Sequence, residues 1–533
     1  MKSVFKFINI KKVKILFFFL ILFSIYCSIL VGQTWDEYFH FSQGKITLNY
    51  LFSLGRIDKE LFYREFYSPI YWSLQYLITK IFTNSYQAEV AHLVNLTFSL
   101  SAIIGIGKLG KELFNKKVGK IIILTLFFYP VFFGHMSFNP KDTILAFSHI
   151  WIFVLSLKYL KYQSVKNNSN KYILFIALLT SLSTGIQLVF IGSLLPILLF
   201  VLLDIFFTKK FISTEFNNKK FFYDLIKCFI FFYIILIIFW IDTHKNIFIL
   251  PINIILETFS SNFWSGYPYN LVNGNYYLSN DIPKSYWIIN FIYKTPEYLL
   301  ISYVYFIFLL FSSMQFFVKK FKFFKYKLLL LTVILIFPNF ILFINPYPLY
   351  DGMRLMLWAL PYYCIIPSLT IYYLIENINL KKSKIATIFL LPFFIYFLFI
   401  FFSITPYQYT YLNLLNGKNE NRYQKFEGDY WGASIKELIK NSDFNKEKII
   451  KFATCGVNYE VSKKYFKKNG YFNMEFTSPE NAEYIIMTNR VISRENGNES
   501  FPLLTNCFDK FKGYDVFKIQ INNLLLSTIR KIN

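Results

Sequence analysis

Trp35-Asp-Glu-Tyr-Phe-His40 begins four residues past the first membrane-length apolar stretch of this chain, residues 13–31. Two adjacent carboxylates at the point where a helix leaves a bilayer cost free energy, and such residues usually have a function. A further acid, Asp142, ends the short stretch His135-Met-Ser-Phe-Asn-Pro-Lys-Asp142 between two later apolar segments. Acidic residues from separate loops on the same membrane face predict a catalytic site at that face.

The composition is that of a polytopic membrane protein. The 533 residues are 55% hydrophobic and 22% aromatic, which is too apolar and too segmented for a soluble domain. A membrane-spanning helix needs about 20 apolar residues. Eleven segments meet or nearly meet this requirement: 13–31, 88–107, 118–134, 141–160, 172–186, 188–207, 222–241, 297–318, 327–345, 354–375 and 384–403.

The basic residues behind the net charge of +25 are concentrated in connecting segments on one side of the predicted spans. This distribution argues against a nucleic-acid partner. Six connecting segments that would share one side carry 27 Lys and Arg: 1–14, 107–121, 158–171, 208–227, 317–327 and 376–386. The intervening loops carry only ten, although together they are longer: 32–87, 135–141, 242–296 and 346–355. By the positive-inside rule the lysine-rich side is cytoplasmic. We therefore expect a cytoplasmic N-terminus in a cell (inner) membrane and extracytoplasmic residues after 403.

The composition becomes charged and mixed near Thr405, which predicts a membrane domain over 1–403 and an extracytoplasmic domain over 404–533. Short apolar runs predict three strands, at Ile449–Cys455, Ala482–Met487 and Tyr514–Ile519, and Glu460–Lys468 reads as a helix. We expect a small α/β domain. Leu524–Ile529 is interpreted as a core helix, with a membrane-lying amphipathic end as the alternative. Cys455 and Cys507 fall in this domain, where an oxidising compartment permits pairing, but the sequence alone does not fix their distance.

Asp36 is the best candidate for a general base: if the chemistry at this face is an inverting transfer from a lipid phosphate, it needs a carboxylate to take the acceptor's proton. The structural alternative is a helix cap or an ion pair with Arg64 or Lys45. On a helix Asp36 and Glu37 would each share a face with His40. A divalent metal is therefore considered, although zinc needs three or four ligands at defined spacing.

Cationic groups are needed to stabilise a departing phosphate. Arg64, Lys141 and Arg354 stand in outside loops beside the aromatic and acidic clusters, and arginine offers a planar fork to phosphate oxygens. Each has a snorkelling or ion-pair role as its alternative. His135, close to Asp142 on the outer rim, is a further candidate for polar contact with substrate, as is His40.

These residues resemble the GT-C superfamily of integral-membrane glycosyltransferases, especially the protein O-mannosyltransferase and aminoarabinose transferase branch (glycosyltransferase family 39). The stretches that carry the resemblance are Trp35–His40, Ser68-Pro-Ile-Tyr71, Phe138–Asp142, Lys294-Thr-Pro296, Tyr350-Asp-Gly-Met-Arg354, Thr405–Asn413 and Glu427-Gly-Asp-Tyr-Trp431.

The resemblance implies an all-α polytopic membrane protein of GT-C type, with about eleven spans and the small C-terminal α/β domain. It also implies that Asp36, Glu37 and Asp142 are the catalytic acids. The donor would be a polyprenyl-phosphate-linked sugar, and the acceptor a glycan, lipid or protein at the membrane. No nucleotide cofactor is expected, because the chain shows no Gly-rich phosphate loop.

Three alternatives remain open from the sequence. A membrane ligase or phosphotransferase would act on lipid-linked glycans. A transporter would favour broken helices with polar groups at mid-membrane, whereas the notable acids here lie at the outer rim. A structural scaffold would tolerate replacement of Asp36.

Overall fold

The computed structural model describes residues 10–56, 67–165, 168–259, 266–344, 347–493 and 503–532. The helices of the first half are α1 (Ile10–Leu30), α2 (Trp35–Phe52), α3 (Ile70–Thr79), α4 (Gln87–Leu113), α5 (Lys116–Phe127), α6 (Pro130–His135), α7 (Asp142–Tyr162), α8 (Asn168–Ile186), α9 (Phe190–Ser193), α10 (Leu195–Leu203), α11 (Asn218–Phe239) and α12 (Ile249–Phe259). The later helices are α13 (Tyr286–Lys294), α14 (Glu297–Ser312), α15 (Met314–Lys320), α16 (Phe324–Ile344), α17 (Leu360–Tyr363), α18 (Ile365–Glu376), α19 (Lys381–Ser403), α20 (Ile435–Lys440), α21 (Tyr459–Lys468) and α22 (Cys507–Lys510).

The fold is that of a polytopic, mainly helical membrane protein. Among the described residues, five helices are long and apolar enough to cross a membrane, namely α4, α7, α11, α16 and α19. Two bent pairs, α1 with α2 and α13 with α14, raise this to seven if each pair is one span. The predicted count of eleven remains a prediction. Proline contributes to the difference, because Pro130 begins a new helix after α5 and Pro196 lies in the first turn of α10.

A corner between α1 and α2 places the first acidic cluster. The two helices meet at 89°, and the backbone N–H of Gly32 donates to the carbonyl of Ala433 at 3.0 Å. A Cβ at Gly32 would lie 2.9 Å from that carbonyl oxygen, so only glycine permits this approach. Trp35 N–H also donates to the carbonyl of Trp431 at 3.1 Å. The C-terminal region therefore packs directly on the corner that begins α2.

The C-terminal residues form the predicted α/β arrangement. A five-stranded sheet runs in the order β4 (Met474–Phe476), β3 (Ile450–Cys455), β5 (Tyr484–Thr488), β9 (Leu524–Lys531), β8 (Tyr514–Ile521). Strand β3 is parallel to β4 and β5, with α21 connecting β3 to β4, and β9 is antiparallel to both neighbours. The other strands form two hairpin-like pairs, β1 (Tyr269–Val272) with β2 (Asn275–Leu278) and β6 (Val491–Ser493) with β7 (Leu504–Asn506).

One predicted element of this region is wrong. Leu524–Ile529 is neither a core helix nor a membrane-lying helix, because it belongs to β9, the strand between β5 and β8. A short apolar run cannot be assigned by periodicity alone. Pairing with two neighbouring strands decides its conformation here.

Candidate active site

A cavity of ≈ 400 Å³ lies where the start of α2, the residues before α7, the loop after α16 and the C-terminal region meet. Its lining includes Trp35, Asp36, His40, Lys141, Arg354 and Arg490. Four of these were predicted as site residues: Asp36, His40, Lys141 and Arg354. Helix α2 begins at Trp35, so its first turn presents Asp36 to the cavity and its second turn presents His40.

Arg354 joins three acidic residues at the cavity wall. Its Nη1 lies 2.6 Å from Asp351 Oδ2, its Nε 3.1 Å from Asp142 Oδ2, and its Nη2 3.4 Å from Asp36 Oδ2. The Arg354 guanidinium is also 4.4 Å from the centre of the Trp431 ring. Its side chain is 2% exposed, whereas that of Asp36 is 32% exposed. The guanidinium of Arg354 is therefore paired with carboxylates at the cavity wall, and its predicted contact with a donor phosphate stays a prediction.

Asp142 is held rigidly behind Arg354 at the start of α7. Asn139 Nδ2 donates to Asp142 Oδ2 at 3.0 Å, and the backbone N–H of Asp142 donates to Asn139 Oδ1 at 3.0 Å. Asp142 is 1% exposed. The structure thus brings Asp36 and Asp142 to one guanidinium, with Asp36 facing the open space and Asp142 supporting it from within.

Arg490 and Glu427 extend this network into the C-terminal region, and neither was predicted as a site residue. Arg490 Nη1 contacts Asp351 Oδ1 and lies 3.5 Å from Glu427 Oε1. Burial raises the pKa of Glu427 to about 7; Arg490 opposes this shift and Asp351 adds to it. Lys294 is buried nearby and interacts electrostatically with Glu427 and Asp351.

Lys141 supplies a cation that faces the cavity. It precedes α7, lines the cavity, and its ammonium lies 5.7 Å from the centre of the Tyr67 ring. Within the described ranges no carboxylate lies within ion-pair distance of the Lys141 ammonium. Phenolic side chains of Tyr67, Tyr267 and Tyr350 surround the same space.

Glu37 points away from the cavity. Its carboxylate accepts hydrogen bonds from the backbone N–H and the hydroxyl of Thr34, at 2.7 and 2.9 Å, and lies 2.9 Å from His92 Nε2. Successive residues on a helix point about 100° apart, so Asp36 and Glu37 cannot both face one space. The structure thus gives Glu37 capping and ion-pair contacts, and its predicted part in catalysis stays a prediction.

The two predicted histidines are placed differently. His40 stacks on Trp72, with ring centres 4.3 Å apart, and lines the cavity. His135 is fully buried and its Nε2 lies 2.7 Å from the hydroxyl of Tyr430, a cavity residue. Burial, followed by the nearby cations Arg354 and Lys294, lowers the pKa of His135 well below its usual value. His135 therefore supports Tyr430 from behind the cavity, and its predicted contact with substrate stays a prediction.

Arg64, the remaining predicted phosphate ligand, lies outside the described residues. The described part of the chain contains no group of three or more His, Cys, Asp and Glu side chains placed to hold a metal ion. A divalent metal thus stays an open prediction. Asp351, Glu427 and Arg490 were missed as site residues, although Asp351 and Glu427 lie inside the motifs that carried the resemblance.

No family model matches the chain, and no curated protein matches it in sequence. Solved structures do resemble it. ArnT from Cupriavidus metallidurans bound to undecaprenyl phosphate has 10% sequence identity and a TM-score of 0.51, over 97% of this chain and 98% of that chain. The apo state of the same protein has 11% identity and a TM-score of 0.49, over 97% of each chain. The archaeal oligosaccharyltransferase AglB from Archaeoglobus fulgidus, in complex with an inhibitory peptide and a dolichol-phosphate, has 10% identity and a TM-score of 0.46, over 88% of this chain and 69% of that chain.

The likeness to undecaprenyl phosphate-bound ArnT extends over nearly all of both chains and shows that the two chains share one fold. At this sequence identity the likeness establishes architecture, and the chemistry has to be argued from the site itself.

Proposed function

We propose that this protein is a membrane glycosyltransferase that moves a sugar from a polyprenyl-phosphate carrier to an acceptor on the extracytoplasmic side, with inversion at the sugar carbon. The observation that carries the proposal is the cavity in which Lys141 and a partly exposed Asp36 share one space. The lipid phosphate bound to the ArnT structure of the same fold supports the choice of donor class.

The proposed step uses these groups in turn. An acceptor O–H or N–H enters the cavity, and Asp36 removes its proton as the acceptor atom bonds to the sugar's anomeric carbon. The bond between that carbon and the phosphate oxygen breaks on the opposite face, and the electron pair leaves with the polyprenyl phosphate. Lys141 stabilises the charge that develops on this leaving group. Arg354, with Nη2 3.4 Å from Asp36 Oδ2, keeps Asp36 oriented.

The aromatic lining suits a sugar substrate. Trp35, Tyr67, Tyr267 and Tyr350 border the cavity, and such rings offer both an apolar face and a polar edge to a ligand. The assay below would identify the sugar and the acceptor.

The experiment offers purified protein a panel of polyprenyl-phosphate-linked sugars together with envelope glycolipids and glycoproteins from cells that lack the protein. Mass spectrometry follows the release of unglycosylated polyprenyl phosphate and the gain of one sugar by an acceptor. Joint appearance of both products supports the proposal. Movement of an intact lipid-linked sugar across a vesicle membrane would indicate a transporter instead, and joining of a whole lipid-linked glycan would indicate a ligase.

A further inference from the structure

Arg490 reaches the cavity from the C-terminal region rather than from the membrane helices. It lies two residues after β5, and its guanidinium carbon is 3.6 Å from the centre of the Tyr267 ring. Its Nη1 contacts Asp351 and Glu427, as described above. Arg490 is thus a buried link between the C-terminal sheet and the loop that precedes Arg354.

Asp351 connects Arg490 to Arg354. One carboxylate accepts hydrogen bonds from Arg490, from Arg354 at 2.6 Å and from the indole N–H of Trp431 at 3.2 Å. Asp351 and Gly352 have φ values of 58° and 64°, so the loop turns sharply through the left-handed region. A turn of this kind persists only when its surroundings hold it. The contact from Arg490 helps to stabilise this turn. The position of Arg354, three residues later, depends on the turn.

A disulfide between Cys455 and Cys507 brackets the backbone that carries Arg490. Cys507 N–H donates to the carbonyl of Arg490 at 2.8 Å. On the other side, Gly456 approaches so closely that a Cβ there would lie 2.4 Å from Arg490 Cβ. Cys507 and Gly456, the neighbour of Cys455, therefore both contact Arg490, and the disulfide joins the two segments that they belong to.

We propose that Arg490 is a positioning residue for the site described above, and that the Cys455–Cys507 disulfide fixes it in place. The contacts run from the disulfide to Arg490, from Arg490 to Asp351, and from Asp351 through Arg354 to Asp36. This inference rests on the proposed transferase function, because it states how the C-terminal region controls the same site. Arg490 acts through Asp351 and need not touch the reacting atoms.

The activity test compares Arg490→Lys with Arg530→Lys in the purified full-length protein. Arg530 is the matched control because it also pairs with a carboxylate in the C-terminal sheet, 2.7 Å from Asp515, without joining this chain of contacts. We expect Arg490→Lys to lower kcat at least about tenfold, as misplacement of a reacting group does. The KM for donor should change by less than about threefold, because donor binding is not removed.

Two further variants separate positioning from general stability. Cys455→Ala/Cys507→Ala should lower kcat in the same direction as Arg490→Lys. The double variant Arg490→Lys/Asp351→Asn should be no slower than Asp351→Asn alone, because both changes break one link. Unchanged kcat in Arg490→Lys, or multiplied losses in the double variant, would overturn the proposal.

Hydrogen–deuterium exchange over residues 347–358 gives a readout that does not depend on activity. We expect faster exchange there in Arg490→Lys and in the cysteine variant, and wild-type exchange in Arg530→Lys. Equal exchange in all variants would overturn the positioning role even if turnover falls. A wild-type protein that consumes no lipid-linked sugar would instead contradict the proposed function, and the exchange data would still decide whether Arg490 holds the loop.

Discussion

Arg354 Nη2 lies 3.4 Å from Asp36 Oδ2, so the partly exposed acid at the first corner is tied to a guanidinium that is 2% exposed. The same guanidinium contacts Asp142 and Asp351 through its other nitrogens. An arginine shared by three carboxylates holds them at fixed positions around its planar guanidinium. Asp36 can then accept a proton at the cavity while Asp142 and Asp351 keep Arg354 in position.

Lys141 is the group whose loss should affect donor binding most directly. Removal of one charge-assisted contact costs about 1.5–3 kcal/mol, so Lys141→Ala should raise the KM for donor roughly tenfold to hundredfold. Lys141→Arg should recover part of this loss because the charge is kept. Lys284→Ala is the control, since that ammonium lies over the Phe343 ring, 5.6 Å from its centre. Equal KM values for Lys141→Ala and Lys284→Ala would place the phosphate elsewhere.

Glu37→Gln should affect stability rather than chemistry. The change weakens a buried pair with His92 and the cap at Thr34, at a cost of about 1–3 kcal/mol in the free energy of unfolding. Thermal unfolding in detergent should therefore occur at a lower temperature. Protein that remains folded should keep wild-type kcat. A large fall in kcat without a fall in unfolding temperature would return Glu37 to the list of catalytic acids.

Glu427 should make stability depend on pH. Its pKa in the folded protein is raised from 4.5 to about 7, chiefly by burial. A raised pKa means that the folded state binds the proton more tightly, so the contribution of Glu427 is fully present below about pH 4.5 and is lost as pH rises through about 7. The stability of the wild type relative to Glu427→Gln should thus fall between pH 5 and pH 8, by an amount on the order of 1–3 kcal/mol. Parallel unfolding curves for the two proteins across this range would contradict the assignment.

The orientation inferred from the basic residues can be tested with small tags in intact cells. A tag at Asn217, in a lysine-rich connection, should be shielded from an impermeant reagent, whereas a tag at Asn498 should react. The reason is that cytoplasmic loops carry the excess of Lys and Arg. Reaction at Asn217 with protection at Asn498 would invert the topology.

The sequence predicted which acids would meet, but not how the charges would be shared. Alternating spans and the positive-inside rule placed Asp36 and Asp142 on one face, and the structure brings both to Arg354. The commitment of Arg354 to carboxylates depends on Asp351, whose direction is set by a tight turn and by a contact from Arg490. Contacts between residues so far apart in the chain leave no local pattern to read.

The contacts of Glu37 and the strand at Leu524–Lys531 were both missed, for different reasons. The placement of Glu37 was readable, because Thr34 followed three residues later by Glu37 is the pattern of a capping box, and that pattern competes with a catalytic assignment. The strand at Leu524–Lys531 was not readable in the same way. Its apolar run fits either a helix or a buried strand, and pairing with β5 and β8 decides between them.

The central claim is that Asp36 accepts the acceptor's proton while donor binding is carried by other groups. Asp36→Asn keeps the shape of the side chain and removes the proton acceptor, so the measurement is single-turnover transfer together with donor binding in this variant. We expect transfer to fall at least about a hundredfold, with donor affinity and unfolding temperature close to those of the wild type. Glu37→Gln, measured alongside, should transfer at the wild-type rate. Transfer by Asp36→Asn at a rate near that of the wild type would contradict the account.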